Sequence, residues 1–461
     1  MRPSHTVHET AGTTGRAAWA SVDVHESAGA VESRPVAPFA LAEGAGWIVG
    51  PISLLRTAFP ALWDRLSSRV RVVAGAPERG ALGLVQDDGN LDGGAFSVAE
   101  AVSLAGDVLR GTGLLDPAPL VVLCGHGGSA QNNPHLAAYD CGACGGQVGD
   151  VSARMLAQLL NDPRIRAGLT DAGITIPAET WFVAALHDTT RDRVTVLDRE
   201  LVPAWVVPRL ERFEQDLCRA ADAVALERVD TLPGAPRTRR LGAVRRHLDR
   251  RAADWAQPRP EWGLARNAAI VIGPRSLTTG LDLDGRVFLQ SYRPDLDPDG
   301  AALEGMLTGP LVVAQWINAQ YWFSTVDPVR FGAGDKTTHN VIAPPDGHAA
   351  PLSGVLTGAR GDLRVGLPWQ AVSVHAPVDG RWRESPVHEP VRLLAVVCAT
   401  PAAVDAVLAR APQVARLVMG EWIALTVVDP GSGRVLRCHP SRGWVPVEET
   451  SVDLRSVRAG R

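Results

Sequence analysis

Apolar residues recur at helical spacing through PFALAEGAGWIVGPISLLRTAFPALWDRLSSRV, Pro38–Val70, with a break at Gly50-Pro51 that divides the stretch into two short helices. SVAEAVSLAGDVLRGTGLL predicts a further helix: Ser97 stands as N-cap with Glu100 three residues on, and Gly111 and Gly113 end it. APLVVLCGHGG is different, a continuous apolar run entering a Gly-rich loop. That is how a buried parallel strand delivers its C-terminal end to a site. After the loop, Asp150 is expected to cap a helix over VSARMLAQLLND, ETWFVAALHD reads as a second strand, and PRLERFEQDLCRAADAVALERV as a long amphipathic helix. NAAIVIG, RVFLQSY and VRLLAVVCAT read as strands, and PAAVDAVLARAPQVARLVMG as a helix. Strands alternating with helices predict a layered α/β fold with a mainly parallel sheet.

The pattern divides the chain into a polar, Gly/Ser/Ala-rich tail (1–37), an α/β region carrying the Gly-rich loop (38–228), an Arg-rich connecting segment (229–262) and a C-terminal α/β region (263–461). The Arg-rich run at 237–251 reads as a solvated helix face rather than a patch for an anionic surface. Gly305–Val326 is the most apolar stretch, but Gln315, Asn318 and Gln320 interrupt it. It predicts a buried helix, not a membrane span, which needs about 18 or more apolar residues in a row. The N-terminal residues lack the apolar core of a secretory signal. A formal charge of −4 argues against a nucleic-acid binder.

Candidate chemistry concentrates in LCGHGGSAQNNPHLAAYDCGACGG, Leu123–Gly146. It holds two of the twelve histidines and three of the six cysteines. Six scattered cysteines do not make a disulfide framework, so metal-binding or free thiols are expected. His126 lies just past a strand end, and Cys141 follows in a second Gly-rich turn; an imidazole and a thiolate on adjoining loops suit zinc. Cys141-Gly-Ala-Cys144 is also a C-x-x-C, a redox pattern weakened by the glycines that follow it. Cys124 is expected to complete the buried strand and His135 to order a turn. Cys218 on a helix, Cys398 at a strand end and Cys438 are expected to be structural. Spacing alone leaves a metal site, a redox site and a structural turn open.

The motifs LVVLCGHGGSAQNNPHLAAYDCGACGG and WFVAALHDTTRDRV, followed by RPEWGLARNAAIVIGPRSLTTGLDLDGRVFLQSY and DPDGAALEGMLTGPLVVAQWINAQYWFSTVDPVRFGAGDKTTHNV, resemble the DabA family. The resemblance runs colinearly from about Pro38 to the mid-420s. It implies the large, zinc-dependent subunit of a bacterial inorganic-carbon uptake system, with a site like that of β-carbonic anhydrases. Zn2+ is then the implied cofactor, with His126 and Cys141 as one ligand pair. The family's other pair comes from a C-x-D-x-R strand end, which this sequence lacks. The nearest stretch, SVDVHES, sets Ser21 at the Cys position, Asp23 at the Asp and His25 at the Arg. Asp23 is accordingly the implied third ligand and catalytic gate. The implied chemistry is hydration of CO2 to bicarbonate. The implied partner is a membrane proton-conducting subunit (DabB-like), with this chain peripheral on the cytoplasmic face of the membrane. The missing motif keeps a second class open, a non-catalytic paralogue acting as a binding or regulatory subunit. A thiol redox protein using Cys141 and Cys144 is a third.

Overall fold

The computed structural model describes residues 96–129, 140, 148–254, 257, 259–333, 366–378 and 381–447. It also describes the strands 339–342, 354–357 and 362–364 and several positions between 46 and 66. The chain divides into two compact units. The first takes the described residues up to Asp107, Leu115–Gly263 and Ala333–Ala371; the second takes Val108–Leu114, Leu264–Gly332 and Val372–Arg461.

Helix α1 (Val98–Thr112), assigned to the first unit as far as Asp107, begins as the sequence predicts. The Glu100 backbone N–H donates to Ser97 Oγ at 3.3 Å, and the Ser97 N–H donates back to the Glu100 carboxylate at 3.1 Å. This reciprocal capping satisfies two N–H groups that a helix start leaves without partners. Strand β1 (Leu120–Gly127) pairs in parallel with β2 (Trp181–Asp188), and β3 (Arg193–Val196) adds antiparallel to β2, giving the order β1-β2-β3. Between β1 and β2 run α2 (Asp150–Asn161) and α3 (Pro163–Asp171). Asp150 is the first residue of α2 rather than its N-cap, a position taken by Gly149. Asp162 caps α3 by accepting from the Arg164 N–H at 2.8 Å. The long helix is α4 (Val207–Arg228) and the Arg-rich helix is α5 (Leu241–Ala253). A separate antiparallel sheet, β6 (His339–Ile342), β7 (Gly354–Thr357) and β8 (Asp362–Arg364), also belongs to this unit.

Helix α5 departs from a purely solvated face. Arg251 is buried and donates to the carbonyls of Pro233 (2.8 Å) and Pro260 (3.3 Å), and Arg245 pairs with Asp222 at 2.7 Å. Guanidinium groups are here fastening chain segments that have no ladder of their own, which accounts for burying a cation.

The second unit is built on a six-stranded sheet of order β14-β13-β12-β11-β4-β5. Its strands are β4 (Ala269–Gly273), β5 (Val287–Ser291), β11 (Leu393–Val397), β12 (Ile423–Val428), β13 (Val435–His439) and β14 (Gly443–Pro446). The pairings from β5 through β12 are parallel; β12-β13 and β13-β14 are antiparallel. A small hairpin, β9 (Ser373–Val378) with β10 (Arg381–Pro386), is antiparallel as well. The α/β character expected from the sequence is present, but the sheets are mixed rather than mainly parallel. Tight turns such as Asp429–Gly433 and His439–Arg442 fold adjacent strands into hairpins, and hairpins are necessarily antiparallel. No solved structure matches the chain.

The stretch read as one terminal helix is two, α8 (Pro401–Arg410) and α9 (Pro412–Met419), because Pro412 cannot continue the ladder and instead opens the next helix. Gly305–Val326 also breaks, at Gly309-Pro310, into α6 (Ala301–Thr308) and α7 (Pro310–Val326). It is not the wholly buried helix expected: Trp316 and Val326 are largely exposed, while Gln315 and Asn318 are buried. Of the polar residues that interrupt the stretch, Gln315 and Asn318 lie on the inward face beside Leu311 and Ala314, while Gln320 is exposed. Among the described residues no helix is long and apolar enough to cross a membrane.

His388 is buried in the second unit, its ring 5.2 Å from that of Tyr321 and its Nδ1 accepting from the Arg266 N–H at 3.0 Å. Burial, with the Arg286 charge, pushes its pKa down to about 4. The neutral ring therefore stabilises the fold above its ordinary pKa of about 6.5, and that contribution is lost as pH falls towards 4. The full loss corresponds to about 3 kcal/mol. Urea titrations at pH 7.5 and 4.5 are expected to show this loss in the unmutated chain and a smaller one in His388→Phe. Equal losses in both would remove His388 as the cause.

Candidate functional site

The C-terminal ends of β1 and β2 bring the sequence-predicted histidine to a second one. His126 on β1 lies in register with His187 on β2, and Gly127 with Asp188. His126 is half-buried, and desolvation, followed by the neighbouring His187, holds its pKa below the ordinary value. Both effects favour the neutral imidazole, the form that ligates a metal.

The glycines around His126 are required by close approach. A Cβ on Gly125 would stand 2.2 Å from the carbonyl oxygen of Gly149, at the start of α2. The Gly149 N–H donates to the His126 carbonyl at 2.9 Å, so strand end and helix start are joined by backbone alone.

Beyond His126, carboxylates hold Gly128 and Ser129. Asp140 accepts from the Gly128 N–H at 2.9 Å. Burial raises the Asp140 pKa, the Gly128 bond opposes the rise and the Asp188 charge adds to it. Asp188 accepts from Ser129 Oγ (2.5 Å), the Ser129 N–H (3.1 Å) and Thr190 Oγ1 (2.7 Å). Asp140, which precedes Cys141 in the sequence, is thereby bonded to the backbone two residues past His126.

A second layer lies behind this one. The Thr189 N–H donates to the Gly127 carbonyl at 2.9 Å, and Thr189 Oγ1 donates to Glu261 Oε1 at 2.5 Å. Arg228, from the end of α4, pairs with Asp192 at 2.9 Å and Glu261 at 3.4 Å and donates to the carbonyls of Thr189 and Thr190. Asp192 in turn stands 3.7 Å from His187 Nε2. Glu261 is buried, and desolvation outweighs Arg228 and Thr189 to push its pKa up to about 7, with Asp192 and Asp188 adding to the rise. Sequence reasoning missed Glu261 and Arg228. They are remote in the chain from His126, and a single Glu after Pro260 carries no pattern.

Of the sequence-predicted ligands, only His126 lies among the described residues; Asp23 and Cys141 lie outside them, as do Ser21, His25, His135 and Cys144. Among the described residues no three His, Cys, Asp or Glu side chains gather to hold a metal. Cys124 is exposed rather than buried: its side chain leaves the sheet on the face that core residues such as Val121 do not occupy. Cys398 and Cys438 are buried and Cys218 lies exposed on α4, with no disulfide at any of these. A cavity of about 640 Å³ lies at the other end of β2, lined by Gln158, Asn161, Trp181, Phe182, Leu197 and Leu201, away from His126.

The family model described as "Probable inorganic carbon transporter subunit DabA" matches residues 1–423. A probable inorganic carbon transporter subunit DabA from Novosphingobium aromaticivorans is 41% identical over 456 residues, covering 96% of this chain and 50% of the relative. A Bradyrhizobium relative of the same description is 45% identical over 351 residues, 76% of this chain and 39% of its own length. One from Halothiobacillus neapolitanus is 44% identical over 341 residues, 73% and 31% respectively. The chain spans half or less of the length of these relatives.

Proposed function

The chain belongs to the DabA family of inorganic carbon transporter subunits, and from that premise we propose that it is a zinc-binding subunit of a CO2/bicarbonate uptake complex. One observation carries the reading: His126 stands at the end of a parallel strand, and Asp140, the residue before Cys141 in the sequence, accepts from the N–H of Gly128, two residues on from His126. Imidazole and thiolate are donors that a zinc site takes, and Cys141 would supply the second. His126 and Cys141 would hold the metal, with Asp23 as third ligand.

Bound zinc supplies Lewis-acid activation of water for attack on CO2. The protein's part is preorganisation. Asp188 holds Ser129 and Thr190, and Glu261 and Arg228 hold Thr189, whose N–H donates to the Gly127 carbonyl, so the backbone that follows His126 is fixed. Asp23 would gate the open position. The subunit would act with a membrane proton-conducting partner of the DabB type, peripheral on the cytoplasmic face of the membrane.

Oxygen-18 exchange between CO2 and water, followed by membrane-inlet mass spectrometry, tests the activity. The zinc-loaded chain together with its membrane partner is expected to exceed the buffer rate at least tenfold, and His126→Ala and Asp23→Asn to lose the excess. A buffer rate with zinc retained would instead favour the non-catalytic binding subunit, the reading that the missing C-x-D-x-R motif supports.

A further inference from the structure

Glu261 is only 5% exposed, and its carboxyl lies in a cluster drawn from three segments: Asp188–Asp192 around the turn from β2 to β3, Arg228 at the end of α4, and Glu261 itself. Two cations face three acidic side chains. Arg191 Nε lies 3.8 Å from Asp188, Arg228 lies 2.9 Å from Asp192, and Glu261 shares that same Arg228 at 3.4 Å. The cations that flank the cluster hold other carboxylates: Arg245 pairs with Asp222 and donates to the Arg191 carbonyl, and Arg193 pairs with Asp249. Asp140 faces Asp188 from the loop after β1 and brings a further acid, not a cation. An ionised Glu261 therefore leaves one negative charge unmatched, and a buried charge without compensation is costly. His187, whose Nε2 stands 3.7 Å from Asp192, is the other group on which a balancing proton can sit.

Two features make the imbalance local. From Pro260 to Trp262 the chain is in neither helix nor strand, and side chains hold it: Arg251 on the Pro260 carbonyl, and Trp262 Nε1 on the Thr231 carbonyl at 2.9 Å. Opening there breaks no backbone ladder, the mark of a region that opens below the cost of global unfolding. The turn that Glu261 touches also bears on the strand end, for Thr189 Oγ1 donates to Glu261 and the Thr189 N–H donates to the Gly127 carbonyl, one residue past His126. Burial pushes the Glu261 pKa up from 4.5 to about 7. An opening that admits water restores the ordinary value, so from about pH 4.5 to 7 each pH unit favours the open form by up to about tenfold, and the gain levels off above that.

We propose that Glu261, with Thr189 and Arg228, is a pH-operated latch on the turn after β2, shut while the acid keeps its proton and loosened once the proton leaves. The latch sets how firmly the strand end that carries His126 is held. It needs no metal and stands apart from the proposed activity.

Hydrogen–deuterium exchange of the full chain, with times scaled to the intrinsic amide rate at each pH, reads the latch through the segment Thr189–Asp192, while helix α3 reports global opening. Protection of the turn is expected to fall at least tenfold from pH 5 to pH 7.5 and to stay below that of α3. Glu261→Gln, a neutral mimic of the protonated acid, is expected to abolish the fall. Asp192→Asn, which leaves Arg228 to Glu261 alone, is expected to move it to lower pH, and His187→Gln to leave it in place. Circular dichroism and melting curves confirm that each variant folds. No fall in the unmutated chain, a fall that persists in Glu261→Gln or one that disappears in His187→Gln would overturn the latch. Protection of the turn equal to that of α3 at every pH would overturn it too, because the opening would then be global.

Discussion

Gly125→Ala is expected to unfold the end of β1 and abolish metal retention. The added methyl would stand 2.2 Å from the Gly149 oxygen and 2.5 Å from its carbonyl carbon. These are backbone atoms at the start of α2, tied to His126 by the Gly149 N–H, and no rotamer relieves the contact. Overpacking against side chains costs about 1–3 kcal/mol, and a backbone clash belongs at the upper end, about 3 kcal/mol or more. Gly242→Ala is the control. Its Cβ meets only the end of the Arg246 side chain at 3.5 Å, and in helix α5 alanine is favoured over glycine by up to about 1 kcal/mol. Urea denaturation of both variants is expected to show a large loss for Gly125→Ala and none for Gly242→Ala. Equal behaviour would mean that β1 and α2 do not approach as described.

Arg228→Met is expected to cost a comparable amount for an electrostatic reason. The guanidinium holds Asp192 and Glu261, both nearly sealed from water, and two carbonyls of the loop after β2. Removing one partner from a buried ionic cluster costs about 3–5 kcal/mol, because the remaining charges are left without compensation. Glu261 adds a pH signature. Below its ordinary pKa of about 4.5 the carboxyl is protonated in both folded and unfolded chains. Above that, the unfolded chain ionises while the folded chain keeps its proton until about pH 7, so stability falls across this window by about 3 kcal/mol in all. Glu261→Gln is expected to flatten the fall. Arg228→Met, which removes the charge that lowers the Glu261 pKa, is expected to extend it above pH 7. An Arg228→Met cost under about 1 kcal/mol, or an unchanged slope in Glu261→Gln, would show that the cluster does not support the site.

The parts of this arrangement that were legible in the sequence are local. The apolar runs of β1 and β2, the Ser97–Glu100 cap and His126 at a Gly-rich strand end all declare themselves within a few residues. What stayed hidden depends on distant partners. Arg228, Asp192 and Glu261 form one cluster from three separate segments, and nothing in the spacing of a lone Arg or Glu announces it. The hairpins of the second sheet escaped because short apolar runs look alike in parallel and antiparallel pairing. Helix α7 is hard to read for a related reason: apolar residues lie on both of its faces, and the burial of Asn318 depends on Asn267, far away in the sequence. Pro310 and Pro412, by contrast, are helix breaks that the sequence itself displays.

The most direct test of the account is zinc content. The chain is purified without added metal and assayed by elemental analysis, beside His126→Ala and Cys141→Ala. The account predicts about one zinc per chain, lost in both variants while their melting curves stay near that of the unmutated protein. An unmutated chain that is folded and free of zinc, even after incubation with the metal, would contradict it.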